Sequence, residues 1–221
     1  MTVVHAGGHL MDRQLDPAAG AVLTRTLRDL GVRVRLGARA TAWTGHGLAL
    51  ADGTDVPADL LVLACGVRPD TALAASTGLA VGRGVLVDDA LRTSDPRVSA
   101  IGDCAEHRGA VYGLVAPAWD QAATVADRLT GGTARYAGSR VVTRLKATGI
   151  DLAAMGSLDT GADGEVVGFS DPARGTYAAL VVRDGRLTGA VLLGDNPSVG
   201  AVVRNAGEWL SDGKNLTHPE V

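Results

Sequence analysis

Apolar residues recur along the start of the chain at helical spacing and then at strand spacing. Thr2 to His5 reads as a short strand. Asp16-Pro17 supplies a helix start, with aspartate as N-cap and proline at the first helical position. Ala19, Val22, Leu23, Leu27 and Leu30 then share one apolar stripe, and Gly31 ends the helix. Val32, Val34 and Leu36 alternate with Arg33 and Arg35, which predicts a half-buried strand. Trp43 to Val56 predicts a pair of strands around Asp52-Gly53, a strong hairpin turn. Leu60 to Ala64 has no polar alternation, the pattern of a strand buried on both faces.

Residues 73–84 cross over to a short strand, Val85 to Val87. The turn Ser94-Asp95-Pro96 precedes an apolar strand, Val98 to Ile101, which ends in Gly102-Asp103. Tyr112 to Val115 is a loop. Pro117 opens a helix over Ala118 to Leu129, stopped by Gly131-Gly132. From Tyr136 the pattern changes. Val141 to Leu145, Glu165 to Phe169, Tyr177 to Arg183 and Leu187 to Leu193 predict strands, with Asp184-Gly185 closing the last two as a hairpin. Asn196-Pro197-Ser198 leads into a final helix, Val199 to Leu210, and residues 214–221 form a frayed tail. Three or four antiparallel strands with a helix make a separate α+β domain. The Gly- and Asp-rich stretch from Gly156 to Gly164 lacks calcium-loop spacing and reads as a turn.

Leu91 to Glu106 carries the candidate chemistry. An aspartate just past the carboxyl end of a buried strand points into the crevice where open α/β sheets bind ligands. Gly102 lets a ligand lie close to the backbone, and Asp103 can accept hydrogen bonds from ribose or polyol hydroxyls. Taken as Gly-Asp alone, the pair is equally a strand followed by a polar turn.

Thr93, the apolar run and Gly102-Asp103 together resemble the second flavin fingerprint of the two-dinucleotide-binding, pyridine-nucleotide flavoprotein oxidoreductases. The stretch from Ala58 to Asp70 (Ala-Asp-Leu-Leu-Val-Leu-Ala-Cys-Gly-Val-Arg-Pro-Asp) resembles the last strand of that family's NAD(P)H domain and its return turn. More narrowly, the chain resembles the FAD and NADH module of the assimilatory nitrite reductase large subunit. This rests on Met11-Asp12-Arg13-Gln14-Leu15-Asp16, Tyr112-Gly113-Leu114-Val115-Ala116-Pro117, Thr143-Arg144-Leu145-Lys146 and Gly189-Ala190-Val191-Leu192-Leu193-Gly194-Asp195.

The resemblance implies an α/β fold, a partial Rossmann-like flavoprotein followed by a small α+β carboxyl-terminal domain. It divides the chain into 1–81 (NAD(P)H-binding part), 82–134 (FAD-binding part) and 135–221 (interface domain, often a dimer contact). It implies FAD and NAD(P)H as cofactors, with hydride passing from NAD(P)H to flavin and electrons onward to an acceptor. Asp103, beside Gly102, would hold the ribityl chain. The helix start at Pro117, Ala118 and Trp119 would face the pyrimidine edge of the flavin, where the positive end of a helix favours negative charge. Read without the family, that helix is amphipathic with a proline start and a buried tryptophan. Gly66 lies in the return turn. His5 stands where the family often has an acid on the adenosine ribose; histidine cannot act as that carboxylate, and it equally caps its strand. No catalytic residue from this chain is required.

Two absences sharpen this picture. A complete family member has two G-x-G-x-x-G turns. Here Gly45-His46-Gly47 and Gly82-Arg83-Gly84 are followed by Leu50 and Val87 where the third glycine belongs. The chain is therefore expected to begin inside a domain, with an amino-terminal segment or partner chain supplying the rest, and to oligomerise. The two cysteines, Cys65 and Cys104, form no C-x-x-C, which removes a redox disulfide and any iron–sulfur set; they read as small buried residues. The five histidines have no metal-ligand spacing.

Hydrophobic residues make up 46% and charged residues 20%, a globular composition. A net charge of −3 offers no basic excess for nucleic acid. The absence of a long apolar run or leader predicts a cytoplasmic protein without membrane contact. Lys146, Glu165 and Arg174 read as solvated charges. Three readings stay open: part of an FAD-dependent NAD(P)H oxidoreductase, a scaffold or interaction subunit that keeps the fold without cofactors, or a nucleotide-binding regulatory module.

Overall fold

A computed structural model describes residues 1–147, 149–158, 164–184 and 186–194. The chain divides into two compact units. One takes in Met1–Val62 and the described part of Val142–Val221; the other is Leu63–Val141. These divisions fall at 62/63 and 141/142, whereas the family-based reading puts boundaries at 81/82 and 134/135.

In the first unit, β1 (Thr2–Val4) runs parallel to β2 (Arg33–Arg35), with Val3 opposite Val34. Between them lies α1 (Pro17–Asp29). The Asp16 carboxylate accepts from the Ala19 N–H at 2.8 Å, the predicted N-cap. Ala19, Val22 and Leu23 are buried, and Gly31 ends the helix at φ +80. A three-stranded antiparallel sheet follows, β3 (Ala40–Trp43), β4 (Gly47–Leu50) and β5 (Asp55–Pro57). The Asp52-Gly53 hairpin is present, with Asp52 accepting from the Thr54 N–H and hydroxyl. The strand before it, β3, extends the expected pair to three.

Leu60 to Ala64 is not a strand. It is irregular, and Leu60, Val62 and Leu63 are 78%, 76% and 76% exposed. An all-apolar strand is buried only between neighbouring strands and covering helices, and among the described residues nothing pairs with this segment.

The second unit contains α2 (Ala72–Ser76), then β6 (Val85–Val87) parallel to β7 (Ala105–His107), then α3 (Val115–Leu129). Val98 to Ile101 is not a buried strand either. It folds back on 91–93 around the expected turn: Ser99 bridges Arg92, and the Thr93 N–H donates to the Val98 carbonyl at 2.9 Å. The reason is again pairing. A local hairpin satisfies these backbone groups and leaves Val98 and Ile101 partly exposed. Gly102–Cys104 is a 3₁₀ turn, and the regular strand, β7, comes after it.

The carboxyl-terminal part of the first unit has β8 (Val142–Ala147), β9 (Ile150–Gly156), β10 (Gly164–Asp171), β11 (Thr176–Arg183) and β12 (Arg186–Leu193). They form one antiparallel sheet in the order β10-β11-β12-β9-β8. Sequence pattern missed β9, whose Ala-rich run has low strand preference. Side chains alternate between two faces. Ile150, Leu152, Ala154, Tyr177, Ala179, Val191 and Leu193 join Ala19, Val22 and Leu23 of α1 in one core. Ala153, Met155, Leu187, Ala190 and Leu192 make a second cluster. The Asp184-Gly185 turn includes Gly185, which lies outside the described residues, as do the expected helix at 199–210 and the tail.

Candidate functional site

Helix α3 starts at Val115, two residues before the predicted Pro117. Pro117 sits in the first turn, where a missing N–H breaks no helical hydrogen bond. The N–H groups of Val115 and Ala116 have no intrahelical acceptor there, so this end carries the positive pole of the helix. Leu114, the N-cap residue, makes no side-chain cap. Pro117, Gln121 and Thr124 form the buried face.

Beside this helix start lies an open cleft of about 310 Å³ lined by Gly102, Asp103, Val115, Ala118, Trp119 and Ala122. Four of the seven candidate positions, Gly102, Asp103, Ala118 and Trp119, meet there. Gly102 has φ +76, and a Cβ on it would lie 3.8 Å from the Ala118 Cβ. Glycine thus serves the left-handed turn and keeps the floor low. Asp103 is exposed, and its carboxylate has no partner among the described residues. Trp119 is 70% exposed rather than buried, and its ring forms part of the wall. The cleft therefore offers one unengaged anion, a helix amino terminus and otherwise apolar walls. That set suits a ligand with a hydroxylated chain and a flat apolar ring.

A polar scaffold built on the buried Gln121, His107 and Tyr136 lies behind the cleft. The Gly102 N–H donates to the Gln121 Oε1 at 2.6 Å, and Gln121 is buried. Tyr136 pairs with the Ser139 hydroxyl at 2.7 Å, and Ser139 donates to Asp120 of α3 at 2.6 Å. Asp89 collects three donors: His107 at 3.0 Å, Arg108 at 2.8 Å and Arg135 at 3.1 Å. The bonds from Arg108, then His107, then Arg135 hold its carboxyl well below the usual carboxylate range. The His107 ring packs on Tyr136 with centroids 4.8 Å apart. Gln121 was not among the sequence candidates. Its signal was a polar residue on a buried helix face, spaced four from Pro117 and three from Thr124.

The remaining candidates lie elsewhere. Pro117 is in the same turn of α3 but does not line the cleft. Gly66 is exposed at φ +85 in the irregular segment; the next residue, Val67, lies where a Cβ on Gly113 would touch it at 3.0 Å. His5 belongs to the first unit, past the end of β1, with its Nε2 3.6 Å from the Asp12 carboxylate. Gly45-His46-Gly47 is a hairpin turn between β3 and β4. Gly82-Arg83-Gly84 precedes β6, and the Gly84 N–H is taken by the Glu106 carboxylate at 2.9 Å. Neither G-x-G opens a helix. The cysteines are not buried: Cys65 is exposed and Cys104 half-buried. The segment of Cys65 lacks the sheet neighbours that would cover it. Among the described residues no group of three or more His, Cys, Asp or Glu could hold a metal, and no helix is long and apolar enough to cross a membrane.

Residues 1–122 match the family described as pyridine nucleotide-disulphide oxidoreductase, and residues 142–203 match the rubredoxin NAD+ reductase C-terminal domain. A nitrite reductase [NAD(P)H] of Bacillus subtilis (strain 168) is 38% identical over 201 residues, covering 89% of this chain and 25% of that protein. The assimilatory nitrate reductase electron transfer subunit of the same organism is 35% identical over 200 residues, 88% of this chain and 26% of its own length. The chain thus spans about a quarter of the length of these curated relatives. A ferredoxin reductase for the CYP199A2 system from Rhodopseudomonas palustris superposes with TM-score 0.75 at 33% identity, over 87% of this chain and 50% of that one. An NAD-dependent persulfide reductase from A. fulgidus shares the fold, with TM-score 0.83 at 23% identity over 95% of this chain and 44% of that one. On the match over residues 1–122, this chain belongs to the pyridine nucleotide-disulphide oxidoreductase family.

Proposed function

We propose that the chain is part of an FAD-dependent NAD(P)H oxidoreductase that passes electrons to a further acceptor, as an electron-entry module of the nitrite reductase kind. The observation that carries this reading is the cleft where an unengaged Asp103 faces the start of α3 between apolar walls. When bound, FAD supplies hydride acceptance and electron release; the protein supplies position and electrostatics. Asp103 accepts hydrogen bonds from the ribityl hydroxyls, and Gly102 lets that chain approach the backbone. The free N–H groups of Val115 and Ala116 favour negative charge on the ring's pyrimidine edge. Val115, Ala118, Trp119 and Ala122 would give the ring apolar contact. Residues 82–134 are the FAD part in this reading, and 1–81, with Gly66 and His5, the NAD(P)H part. A cytoplasmic setting belongs to the same proposal, since NAD(P)H is available there.

The test is titration of the purified chain with FAD, followed by flavin fluorescence. Binding is expected, weakened about 10- to 100-fold in Asp103→Ala, because a hydrogen bond to a charged group is worth about 1.5–3 kcal/mol. Identical affinity in wild type and variant would remove Asp103 from the site. No flavin binding, either alone or with a separately expressed domain carrying a G-x-G-x-x-G turn added, would favour the cofactor-free scaffold. That second reading draws on Glu106, which already occupies the Gly84 N–H.

A further inference from the structure

The loop that joins β1 to α1 is anchored along its length. Leu10 and Leu15 are buried in the core that α1 shares with the carboxyl-terminal sheet. The His9 Nε2 lies 3.0 Å from the Leu15 carbonyl oxygen, and its ring rests on Gly20 of α1, where an added Cβ would stand 2.7 Å from the ring Cδ2. Met11 has φ +52, in the left-handed region, and the N–H groups of Gln14 and Leu15 both donate to its carbonyl. A non-glycine residue stays in that region only where its surroundings fix it. The next residue, Asp12, is held by this turn beside His5, past the carboxyl end of β1.

Asp12 and His5 meet over a glycine. The Asp12 Oδ2 lies 3.6 Å from the His5 Nε2. A Cβ on Gly7 would clash with that oxygen and stand 2.7 Å from that nitrogen, so both groups rest on bare backbone. The His5 Nε2 is buried and has no hydrogen-bond partner. Asp12 is exposed and makes no other polar contact among the described residues. The other acid nearest α1 is committed: Asp16 gives Oδ1 to the Ala19 N–H and Oδ2 to the Tyr177 hydroxyl. The Asp12 Oδ1 is thus a free carboxylate oxygen, while an imidazole faces the other oxygen.

We propose that Asp12, with His5 as its positioning residue, recognises the adenosine ribose of a pyridine dinucleotide and selects NADH over NADPH. This rests on the reading of residues 1–81 as the NAD(P)H part. In open parallel α/β sheets, dinucleotides lie across the carboxyl ends of the strands, where an acid accepts from the ribose 2′-hydroxyl or an arginine takes a 2′-phosphate. His5 follows β1 directly but cannot supply a carboxylate; Asp12 supplies it from the loop. An ionised carboxylate only accepts hydrogen bonds, which suits a hydroxyl. A 2′-phosphate would instead set its negative charge against Asp12 at close range. Arg13, exposed and next in the turn, is the group that would take such a phosphate if the preference ran the other way.

The test is titration of the full chain with NADH and, separately, with NADPH, followed by the backbone amide NMR shifts of residues 5–16. NADH should bind at least about tenfold tighter, the equivalent of one hydrogen bond to a charged group. Asp12→Asn keeps the shape and removes the charge, so it should weaken NADH, strengthen NADPH and close most of that gap. His5→Ala should narrow the same ratio, whereas a merely structural loss would weaken both nucleotides alike. Asp29→Asn, at the far end of α1, removes an equal charge and should leave the ratio as it is. Equal wild-type affinities, a preference for NADPH, a wild-type ratio in Asp12→Asn, or the same change in Asp29→Asn would each overturn the role of Asp12 and leave the NAD(P)H reading in place. If neither nucleotide at millimolar concentration moves any amide of the wild-type chain, that reading falls and the role of Asp12 falls with it.

Discussion

The backbone N–H of Gly102 donates to the side-chain carbonyl of Gln121 at 2.6 Å, tying the turn that carries Asp103 to the buried face of α3. This bond sets where Asp103 stands relative to the helix start. Gln121→Leu keeps the volume and removes the acceptor, which leaves a partly buried N–H unpaired at a cost of about 1–3 kcal/mol. Urea denaturation should show that loss. Gln121→Glu, which keeps an acceptor oxygen, should recover part of it. In the FAD titration Gln121→Leu should weaken binding although it touches no ligand. An unchanged midpoint in Gln121→Leu would show that the bond does not support the turn.

Gly102 makes a second, separable demand. Its φ of +76 lies in the left-handed region, while the space around it is open, with Ala118 Cβ 3.8 Å from an added Cβ. The cost of Gly102→Ala is therefore backbone strain rather than a clash, about 1–2 kcal/mol. Gly102→Asn should cost less, because asparagine tolerates that region better. Thermal melts that rank glycine above asparagine above alanine would separate strain from crowding. The reverse order of the two variants would indicate crowding.

Asp89 should set part of the acid stability of the second unit. Bonds from Arg108, His107 and Arg135 hold its folded pKa below the unfolded value. A carboxyl lowered in the folded state contributes stability above its unfolded pKa and loses it as pH falls through the folded one. Wild type should therefore lose melting temperature steeply as pH drops below about 4. Asp89→Asn should melt lower at pH 7 and show a shallower acid slope. Equal slopes in the two proteins would mean that the cluster adds nothing to pH dependence.

How much of this was readable in advance follows from how local each feature is. Asp16-Pro17, the α1 stripe and Asp52-Gly53 depend on neighbours within a few residues, and each stands where the pattern put it. Of the residues that the family resemblance singles out around this turn and helix, Gly102, Asp103, Ala118 and Trp119 line one cleft and Pro117 does not. The failures are non-local. Leu60 to Ala64 and Val98 to Ile101 have the composition of buried strands, yet burial requires partner strands that a local pattern cannot supply. Read without the family, α3 is an amphipathic helix with Trp119 buried, yet Trp119 is exposed and lies off the buried stripe of Pro117, Gln121 and Thr124. Strand β9 escaped because Asp151 and its alanines carry little strand preference, and its neighbours in the sheet decide it. The Asp89 to Arg135 pair spans 46 residues and leaves no mark in the sequence.

A polar contact that spans 161 residues makes the last prediction. Tyr177 on β11 donates its hydroxyl to the Asp16 Oδ2, while Asp16 Oδ1 caps α1 through the Ala19 N–H. One carboxylate thus starts the helix and fastens it to the sheet it packs on. Tyr177→Phe keeps the ring in the core and the cap in place, losing only a bond to a charged group, about 1.5–3 kcal/mol before relaxation. Asp16→Ala loses that bond and the cap, about 1 kcal/mol more. If the two residues act through one bond, the double variant should be less destabilised than the sum of the singles, by about 1 kcal/mol or more. The pH dependence gives an independent check. Burial first, then the Asp16 bond and charge, push the Tyr177 hydroxyl above its ordinary value. A group raised in the folded state contributes stability below its unfolded pKa and loses it as pH rises toward the folded one. Wild type should weaken progressively above about pH 10, and Tyr177→Phe should weaken less over that range. Additive single variants together with an unchanged alkaline slope would mean that helix and sheet are joined by apolar packing alone.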